Sequence, residues 1–231
     1  VKDSLIKNGI RSSRIVVIEN GIDLTRYINA SPSRIRNEMD LKDSFIFLSV
    51  GRLIPQKGID VLLSAFARVP DAHLLIAGEG SERSALEAQA RSLSLISRVS
   101  FLGVRGDIPS LMKVADCFVM PSRYEGMPIA LIEALSMRLP VIVSDFPAAL
   151  DIVRDGKNGI IVPREDADAL AHATHRCERG RVGAVDTGVV RVPIRVASWL
   201  DEIASVRGLM NDAAMTPASG SAISMAISQT Q

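Results

Sequence analysis

The sequence predicts an α/β fold in which a parallel sheet is covered by helices, and two observations support this prediction. From residue 40 onward, short apolar runs typical of strands alternate with stretches in which apolar residues recur at helical spacing. The stretch 121–145 contains this order on a small scale, with a strand end, a turn, a helix and a second strand. Its turn contains Glu125 and its helix contains Glu133.

The elements follow in chain order from the local sequence pattern. Residues 1–13 are typical of a helix end followed by a turn, and residues 14–23 of a strand closed by an Asn-Gly turn. Further strands, rich in apolar residues, are predicted at 45–50, 73–80 with its turn, 98–103, 117–122, 140–145 and 158–163. Helices are predicted at 59–69, 81–93, 107–115 and 128–139, with a further helix start at 164–174.

The stretch 121–145 also suggests a ligand. Its helix is predicted to begin at Pro128, because proline suits the first helical position, where an N–H would be unpaired anyway. Peptide N–H groups at a helix start are unpaired and attract anions. Glu125 and Glu133 beside such a site indicate a polyhydroxylated ligand that carries phosphate. Spacing alone leaves open the alternative that both glutamates are solvated surface charges.

Composition limits the classes of protein that fit. With 47% hydrophobic residues among 231, the chain can bury a substantial core, and a net charge of +1 gives no support for a nucleic-acid or acidic partner. Cys117 and Cys177 are too few for a disulfide framework, which favours a reducing, cytoplasmic location. No apolar run has the length of a transmembrane helix, and the first residues lack the apolar core of a signal peptide.

Three further patterns are assigned to structure rather than to chemistry. The glycines of 78–80 lack the third glycine of a dinucleotide-binding fingerprint, so a hydride-transfer enzyme is not expected. Asp166 and Asp168 open a helix, where acids favour the positive end of the dipole, and they are assigned to capping. No metal site is predicted, because no convincing ligand set is formed by the histidines His73, His172 and His175.

Seven motifs occur in the order in which one enzyme family has them. The stretch 121–135 resembles the Glu-seven-residues-Glu signature of the retaining glycosyltransferases of family 4, which have the GT-B fold. The same family pattern recurs at 49–66, 74–80, 99–103, 115–122, 139–145 and 156–163. Over residues 15–174 the chain is similar to the C-terminal, donor-binding domain of that family. The resemblance implies a Rossmann-like parallel sheet with helices on both faces, the C-terminal half of a GT-B fold.

The resemblance implies an activity as well as a fold. The expected enzyme is a glycosyltransferase that moves a hexose from a nucleoside diphosphate sugar, of the UDP or GDP type, to an unidentified acceptor with retention of configuration. No cofactor besides this donor and no metal is implied. Two alternatives remain open: a module of the same fold that binds a nucleotide-sugar without transferring it, and a sugar-nucleotide epimerase with two similar domains.

Three residues are expected to be catalytic because they match functional positions of the family. Arg52 and Lys57 match the diphosphate-binding pair, which neutralises the charge that develops on the leaving nucleoside diphosphate. Glu125 matches the first glutamate of the signature, which lies near the donor sugar and contacts its hydroxyls.

The remaining matched positions are expected to bind the donor. Glu133 matches the second glutamate, which accepts hydrogen bonds from the nucleotide ribose. Backbone amides within 127–131 are expected to contact phosphate, and the loop 104–106 is expected to lie near the base. The other expected donor-binding residues are Gly51, Gly78, Val104, Arg105, Gly126, Met127, Pro128, Ile129, Ala130 and Leu131.

The resemblance also divides the chain. The expected parts are a remnant of an N-terminal domain with the inter-domain connection at 1–30, the nucleotide-sugar-binding domain at 31–174, a divergent segment at 175–210 with one helix at 196–210, and a disordered tail at 211–231. In the family an acceptor-binding domain precedes the donor domain. Without it the chain is expected to be inactive alone, and any peripheral membrane association would come from that domain. The helical pattern breaks near residue 174, and a shifted reading frame or a divergent loop at 175–194 would explain the break.

Overall fold

The computed structural model describes residues 2–12 and 24–180. The chain divides into two compact units, one of residues 1–21 with 194–231 and one of residues 22–193. In the first unit the described residues form helix α1 (Lys2–Lys7). Outside the described residues lie the predicted strand at 14–23, the predicted helix at 196–210 and the tail at 211–231.

Residues 24–180 form a parallel sheet whose strands are connected by helices. The strands are β1 (Phe45–Val50), β2 (Ala72–Ala77), β3 (Val99–Gly103), β4 (Cys117–Met120), β5 (Val141–Ser144) and β6 (Ile160–Val162). The helices are α2 (Leu24–Ile28), α3 (Ile35–Glu38), α4 (Ile59–Phe66), α5 (Arg83–Ser92), α6 (Ile108–Val114), α7 (Ile129–Ser136), α8 (Pro147–Ile152) and α9 (Ala167–Glu178). A short 3-10 turn, Pro55–Lys57, precedes α4.

The strand order creates a crevice at one edge of the sheet. The strands lie in the order β3-β2-β1-β4-β5-β6, and all neighbouring pairs are parallel. The chain therefore builds outward from β1 in one direction as far as β3, and then returns to place β4 on the other side of β1. Ligands of open α/β sheets bind where the order reverses in this way, at the carboxyl ends of the strands. Here that position lies between the ends of β1 and β4.

Helices cover both faces of the sheet, and strand residues alternate between two apolar clusters. In β1, Ile46 and Leu48 belong to one cluster and Phe47 to the other, and all three are fully buried. The first cluster includes residues of α6, α7 and α8, and the second includes residues of α4, α5 and α9. Burial on both faces explains why the strands are continuous apolar runs in the sequence. The predicted fold class is confirmed.

The helices differ from the sequence prediction at the start of α7, at the end of α9 and by the presence of α8. Pro128 is the N-cap of α7 rather than its first residue, because its φ of −83° and ψ of 73° are not helical. Helix α8 was not expected, although Pro147 occupies its first turn and Ala149 anchors it in the core. Helix α9 continues to Glu178, beyond the break expected near residue 174, because buried Cys177 extends its apolar face.

Asp166 caps α9 as the sequence predicts. Its carboxylate accepts hydrogen bonds from the backbone amides of Asp168 at 3.0 Å and Ala169 at 2.9 Å. These bonds satisfy two of the amides that a helix start leaves unpaired. Among the described residues, no helix is both long enough and apolar enough to span a membrane.

Candidate functional site

An ion pair joins the loops that follow β1 and β4. Lys57 ends the 3-10 turn after β1, and its Nζ lies 2.6 Å from Oε1 of Glu125 in the loop after β4. The Lys57 side chain is 19% exposed and that of Glu125 is 7% exposed. The loops approach closely at Gly58, which has a φ of 65°, since a Cβ there would lie 2.2 Å from the carbonyl oxygen of Pro121. Two of the three residues expected to be catalytic are thus in direct contact.

Two neutral side chains complete the environment of Glu125. Ser122 donates its hydroxyl to Oε1 at 2.7 Å, and Gln56 donates its amide to Oε2 at 3.4 Å. A nearly buried carboxylate requires such donors in addition to its cation. Lys57 is therefore already paired with a carboxylate in the absence of a ligand. Its ammonium has three N–H donors, so it can hold Glu125 and still donate to a phosphate.

Arg52 is an exposed cation at this edge. It follows β1 directly, and within residues 24–180 its side chain has no hydrogen-bond or ion-pair partner. The adjacent loops are tightly joined: the Gly51 amide donates to the carbonyl of Ala77 at 3.0 Å. A Cβ on Gly78 would lie 1.9 Å from the Gly51 carbonyl oxygen, so only glycine fits there. Arg52 therefore projects from a rigid loop base.

Glu133 lies in a second cluster, formed by α2 and α7. The buried Tyr27 of α2 donates its hydroxyl to Oε1 of Glu133. Burial raises the pKa of the Glu133 carboxyl, although the Tyr27 hydrogen bond and the charge of Arg26 act in the opposite direction. Burial, followed by the bond to Glu133, also raises the pKa of the Tyr27 hydroxyl. Glu133 is thus an acceptor in a partly dry environment rather than a solvated surface charge.

The start of α7 offers fewer free amides than the sequence predicted. The Ile129 amide donates to the carbonyl of Met127 at 3.0 Å, and the Leu131 amide to that of Pro128 at 3.0 Å. Pro128 has no N–H to offer. The amides without a partner among the residues that the structure describes include those of Gly126, Met127 and Ala130. Of the expected phosphate contacts, the amides of Met127 and Ala130 therefore remain available.

The loop after β3 is partly open to solvent. Val104 is 79% exposed. Arg105 is engaged by Asp107 through two hydrogen bonds of 2.8 and 2.7 Å. Arg26 of α2 donates to the carbonyl of Gly106 at 2.9 Å. The loop thus combines an exposed apolar side chain with a fixed backbone, and it shares Arg26 with the surroundings of Glu133.

Several polar residues of the site were not predicted. Gln56 and Ser122 lie within the motifs that contain Lys57 and Glu125, so their proximity was available in the sequence. Tyr27 was not, because it lies 106 positions from Glu133, in the segment assigned to the inter-domain connection. The buried His73 takes a packing position, with its Nε2 2.9 Å from the Ser100 hydroxyl. Over residues 2–12 and 24–180, no group of three or more potential metal ligands is found.

Fold and site together define a class of protein: an open α/β domain with cations and carboxylates at the reversal of its strand order. Residues 33–181 match the family model described as "Glycosyl transferases group 1". This match covers more than half of the chain, and the chain belongs to that family.

Relatives with stated activities are glycosyltransferases. The chain is 34% identical over 184 residues to the UDP-Gal:alpha-D-GlcNAc-diphosphoundecaprenol alpha-1,3-galactosyltransferase of Escherichia coli, covering 73% of this chain and 46% of that protein. It is 32% identical over 170 residues to a GDP-mannose-dependent alpha-(1-6)-phosphatidylinositol monomannoside mannosyltransferase of Mycolicibacterium smegmatis, covering 66% of this chain and 44% of that protein. The chain thus spans less than half the length of these relatives.

A solved structure supports the same assignment. The Anabaena protein Alr3699/HepE, crystallised in complex with UDP and glucose, superposes with a TM-score of 0.78 at 25% identity. The similarity covers 90% of this chain and 60% of that one. The chain is therefore part of a GT-B glycosyltransferase architecture.

Proposed function

We propose that this chain supplies the donor-binding half of a retaining glycosyltransferase of family 4, which transfers a hexose from a nucleoside diphosphate sugar to an acceptor. The observation that carries the proposal is the Lys57–Glu125 pair beside exposed Arg52, at the crevice of a group 1 glycosyltransferase domain. The donor class is taken from similar proteins, whose names include UDP-galactose, GDP-mannose and UDP with glucose. Transfer is favoured over binding alone or epimerisation because those relatives are named as transferases.

Arg52 and Lys57 act on the leaving group. When the bond between the anomeric carbon and the diphosphate oxygen breaks, negative charge develops on the departing phosphate. The exposed guanidinium of Arg52 can grip two phosphate oxygens, while Lys57 adds a point charge held by Glu125. Stabilisation of this kind is usually the largest catalytic contribution, and removing one such group costs about 3 kcal/mol of the barrier.

Glu125 has two roles in this account. It fixes the ammonium of Lys57, and its carboxylate oxygens accept hydrogen bonds from hydroxyls of the bound sugar. Retention follows when the acceptor attacks from the side on which the diphosphate leaves. The acceptor hydroxyl then gives its proton to the departing phosphate oxygen as its own oxygen bonds to the anomeric carbon.

The rest of the donor lies along α7 and the loop after β3. Glu133 accepts hydrogen bonds from the ribose hydroxyls. The Tyr27 hydroxyl, which donates to Oε1 of Glu133, then either shares that oxygen with the ribose or moves away from it. The free amides of Gly126, Met127 and Ala130 contact phosphate. The base packs near Val104, whose exposed side chain offers an apolar surface. Two cysteines in the sequence are too few for a disulfide framework, which supports a reducing location such as the cytoplasm.

A ligand screen with a transfer assay tests the proposal. The 231-residue chain is heated with a panel of nucleoside diphosphates, their nucleosides and their sugars. We expect one diphosphate to raise the melting temperature more than its nucleoside does. We also expect no acceptor-dependent transfer by the chain alone, because positioning of the acceptor, worth roughly 7–11 kcal/mol in favourable cases, requires the other half of the cleft. Absence of any nucleotide effect would contradict the proposed donor site, and robust acceptor-dependent turnover would contradict the expected inactivity.

A further inference from the structure

Arg123 connects three loops at the carboxyl edge of the sheet. Its Nη1 and Nη2 donate to the two carboxylate oxygens of Asp60, at 3.0 and 2.8 Å, in the first turn of α4. Its Nε donates to Glu165, just before α9, at 2.9 Å. Nη1 also donates to the carbonyl of Pro55 in the 3-10 turn. All three guanidinium nitrogens are therefore engaged by the protein itself.

Two further hydrogen bonds join the loop after β1 to the loop after β4, next to the Lys57–Glu125 pair. The Arg123 amide donates to the carbonyl of Gln56 at 2.8 Å, and the Gln56 side-chain amide donates to the carbonyl of Tyr124 at 2.9 Å. Gln56 directly precedes Lys57, and Tyr124 directly precedes Glu125. Each member of the ion pair is thus one residue from a point at which its loop is tied to the other.

Asp60 is a suitable anchor for the guanidinium. Burial alone would raise the pKa of the Asp60 carboxyl, but the hydrogen bonds and charge of Arg123 outweigh it, and the pKa lies below its usual value. Asp60 is therefore ionised at neutral pH. A planar fork that meets both carboxylate oxygens fixes orientation as well as distance, which a lysine ammonium would not do.

We propose that Arg123 is a positioning residue for the diphosphate site. By bonding Asp60 and Glu165, it fixes the position of Lys57 relative to Glu125. The proposal rests on the proposed function as far as the ligand is concerned. Four of the five N–H donors of Arg123 are used by Asp60, Glu165 and Pro55, so we assign it a role through Lys57 and Glu125 rather than a contact with the donor.

Arg164 provides a matched control on the same edge. Its Nε lies 3.0 Å from Oδ1 of Asp145, and its Nη1 lies 3.4 Å from the carbonyl oxygen of Arg123. Both side chains of the Arg164–Asp145 pair are nearly half exposed, and such pairs contribute little. Arg164→Lys therefore makes the same chemical change as Arg123→Lys without disturbing the fork on Asp60.

The first test needs no ligand. In ¹⁵N spectra of the full chain, the Lys57 ammonium, assigned by its loss in Lys57→Met, is expected to give a slowly exchanging signal because Glu125 holds it. We expect Arg123→Lys to broaden or remove this signal and Arg164→Lys to leave it intact. A signal unchanged in Arg123→Lys would overturn the positioning role.

The second test uses UDP, GDP and their nucleosides in calorimetric titrations. Arg123→Lys should weaken binding of the preferred diphosphate about tenfold while the nucleoside affinity stays unchanged. Asp60→Asn should produce a similar loss, and the double variant should be no worse than either alone. Equal losses for nucleoside and diphosphate, or an equal loss in Arg164→Lys, would overturn the proposal. If the unmodified chain binds no diphosphate while the ammonium signal behaves as expected, the donor assignment fails and the positioning of the ion pair stands.

Discussion

Lys57→Met separates the structural role of Lys57 from its role towards the donor. Methionine keeps the unbranched side chain that packs over Gly51. This packing is close, because a Cβ added at Gly51 would lie 3.3 Å from Cε of Lys57. The substitution removes the ammonium and leaves the 7% exposed Glu125 side chain without a cation. Ser122 and the weaker Gln56 bond remain as its donors.

The expected cost follows from the burial of the pair. Removing one partner of a buried ion pair costs about 3–5 kcal/mol of stability. Because Glu125 keeps its remaining donors, we expect Lys57→Met to cost about 3 kcal/mol. For a domain of this size that corresponds to a fall in melting temperature of roughly 6–12 °C. Adding Glu125→Gln removes the uncompensated charge, so the double variant should return to within about 1 kcal/mol of the original stability.

Urea unfolding of the single and double variants measures stability, and titration with UDP and GDP measures binding. We expect the double variant to recover stability but not diphosphate affinity, because the cation is absent in both. Arg68→Met is the control, since Arg68 pairs with Asp168 and both side chains are more than half exposed. The reasoning is refuted if Lys57→Met is as stable as Arg68→Met, or if the double variant is less stable than the single one.

Three further variants test other parts of the account. Arg52→Ala should weaken diphosphate binding by about a hundredfold and leave nucleoside binding and stability unchanged, and equal losses for both ligands in titration would contradict this role. Glu133→Ala should weaken nucleoside and diphosphate alike, by about tenfold or more, because the ribose is common to them; unchanged nucleoside affinity would mean that this glutamate is structural. Burial, aided by the charge of Arg98, lowers the pKa of His73. Below about pH 6.5, His73 binds a proton more readily in the unfolded chain than in the folded one. The stability that comes from the neutral, buried His73 is therefore fully present above about pH 6.5 and is lost as pH falls towards the lower native pKa. Urea unfolding should show a smaller loss between about pH 7.5 and about pH 5.5 in His73→Gln than in the exposed control His172→Gln.

The sheet could be predicted from the sequence because its strands are buried on both faces. The run 45–50 coincides with β1, where alternate side chains enter different apolar clusters and every residue except Ser49 is apolar. Helix α8 was missed because it is short and has one buried residue, Ala149. The extension of α9 past residue 174 was missed because Cys177 alone continues the apolar pattern in a polar stretch.

The candidate site could be predicted only in part. A residue that directly follows a strand must lie at the carboxyl edge of a parallel sheet. The sequence therefore predicts that Arg52, Lys57 and Glu125 lie at the same edge. The sequence could not show that Lys57 bonds Glu125, because that contact depends on β4 returning beside β1. The Tyr27–Glu133 bond depends in the same way on where α2 packs.

Hydrogen–deuterium exchange of the 231-residue chain, with and without the diphosphate that stabilises it most, tests the central claim most directly. The claim is that the donor lies between the carboxyl ends of β1 and β4. We predict ligand-dependent protection of peptides covering 51–58 and 121–133, with Arg52→Ala reducing the protection at both. Protection confined to the opposite region, where Pro70 and Asp71 line a cavity with His175, Glu178 and Arg179, would contradict the account.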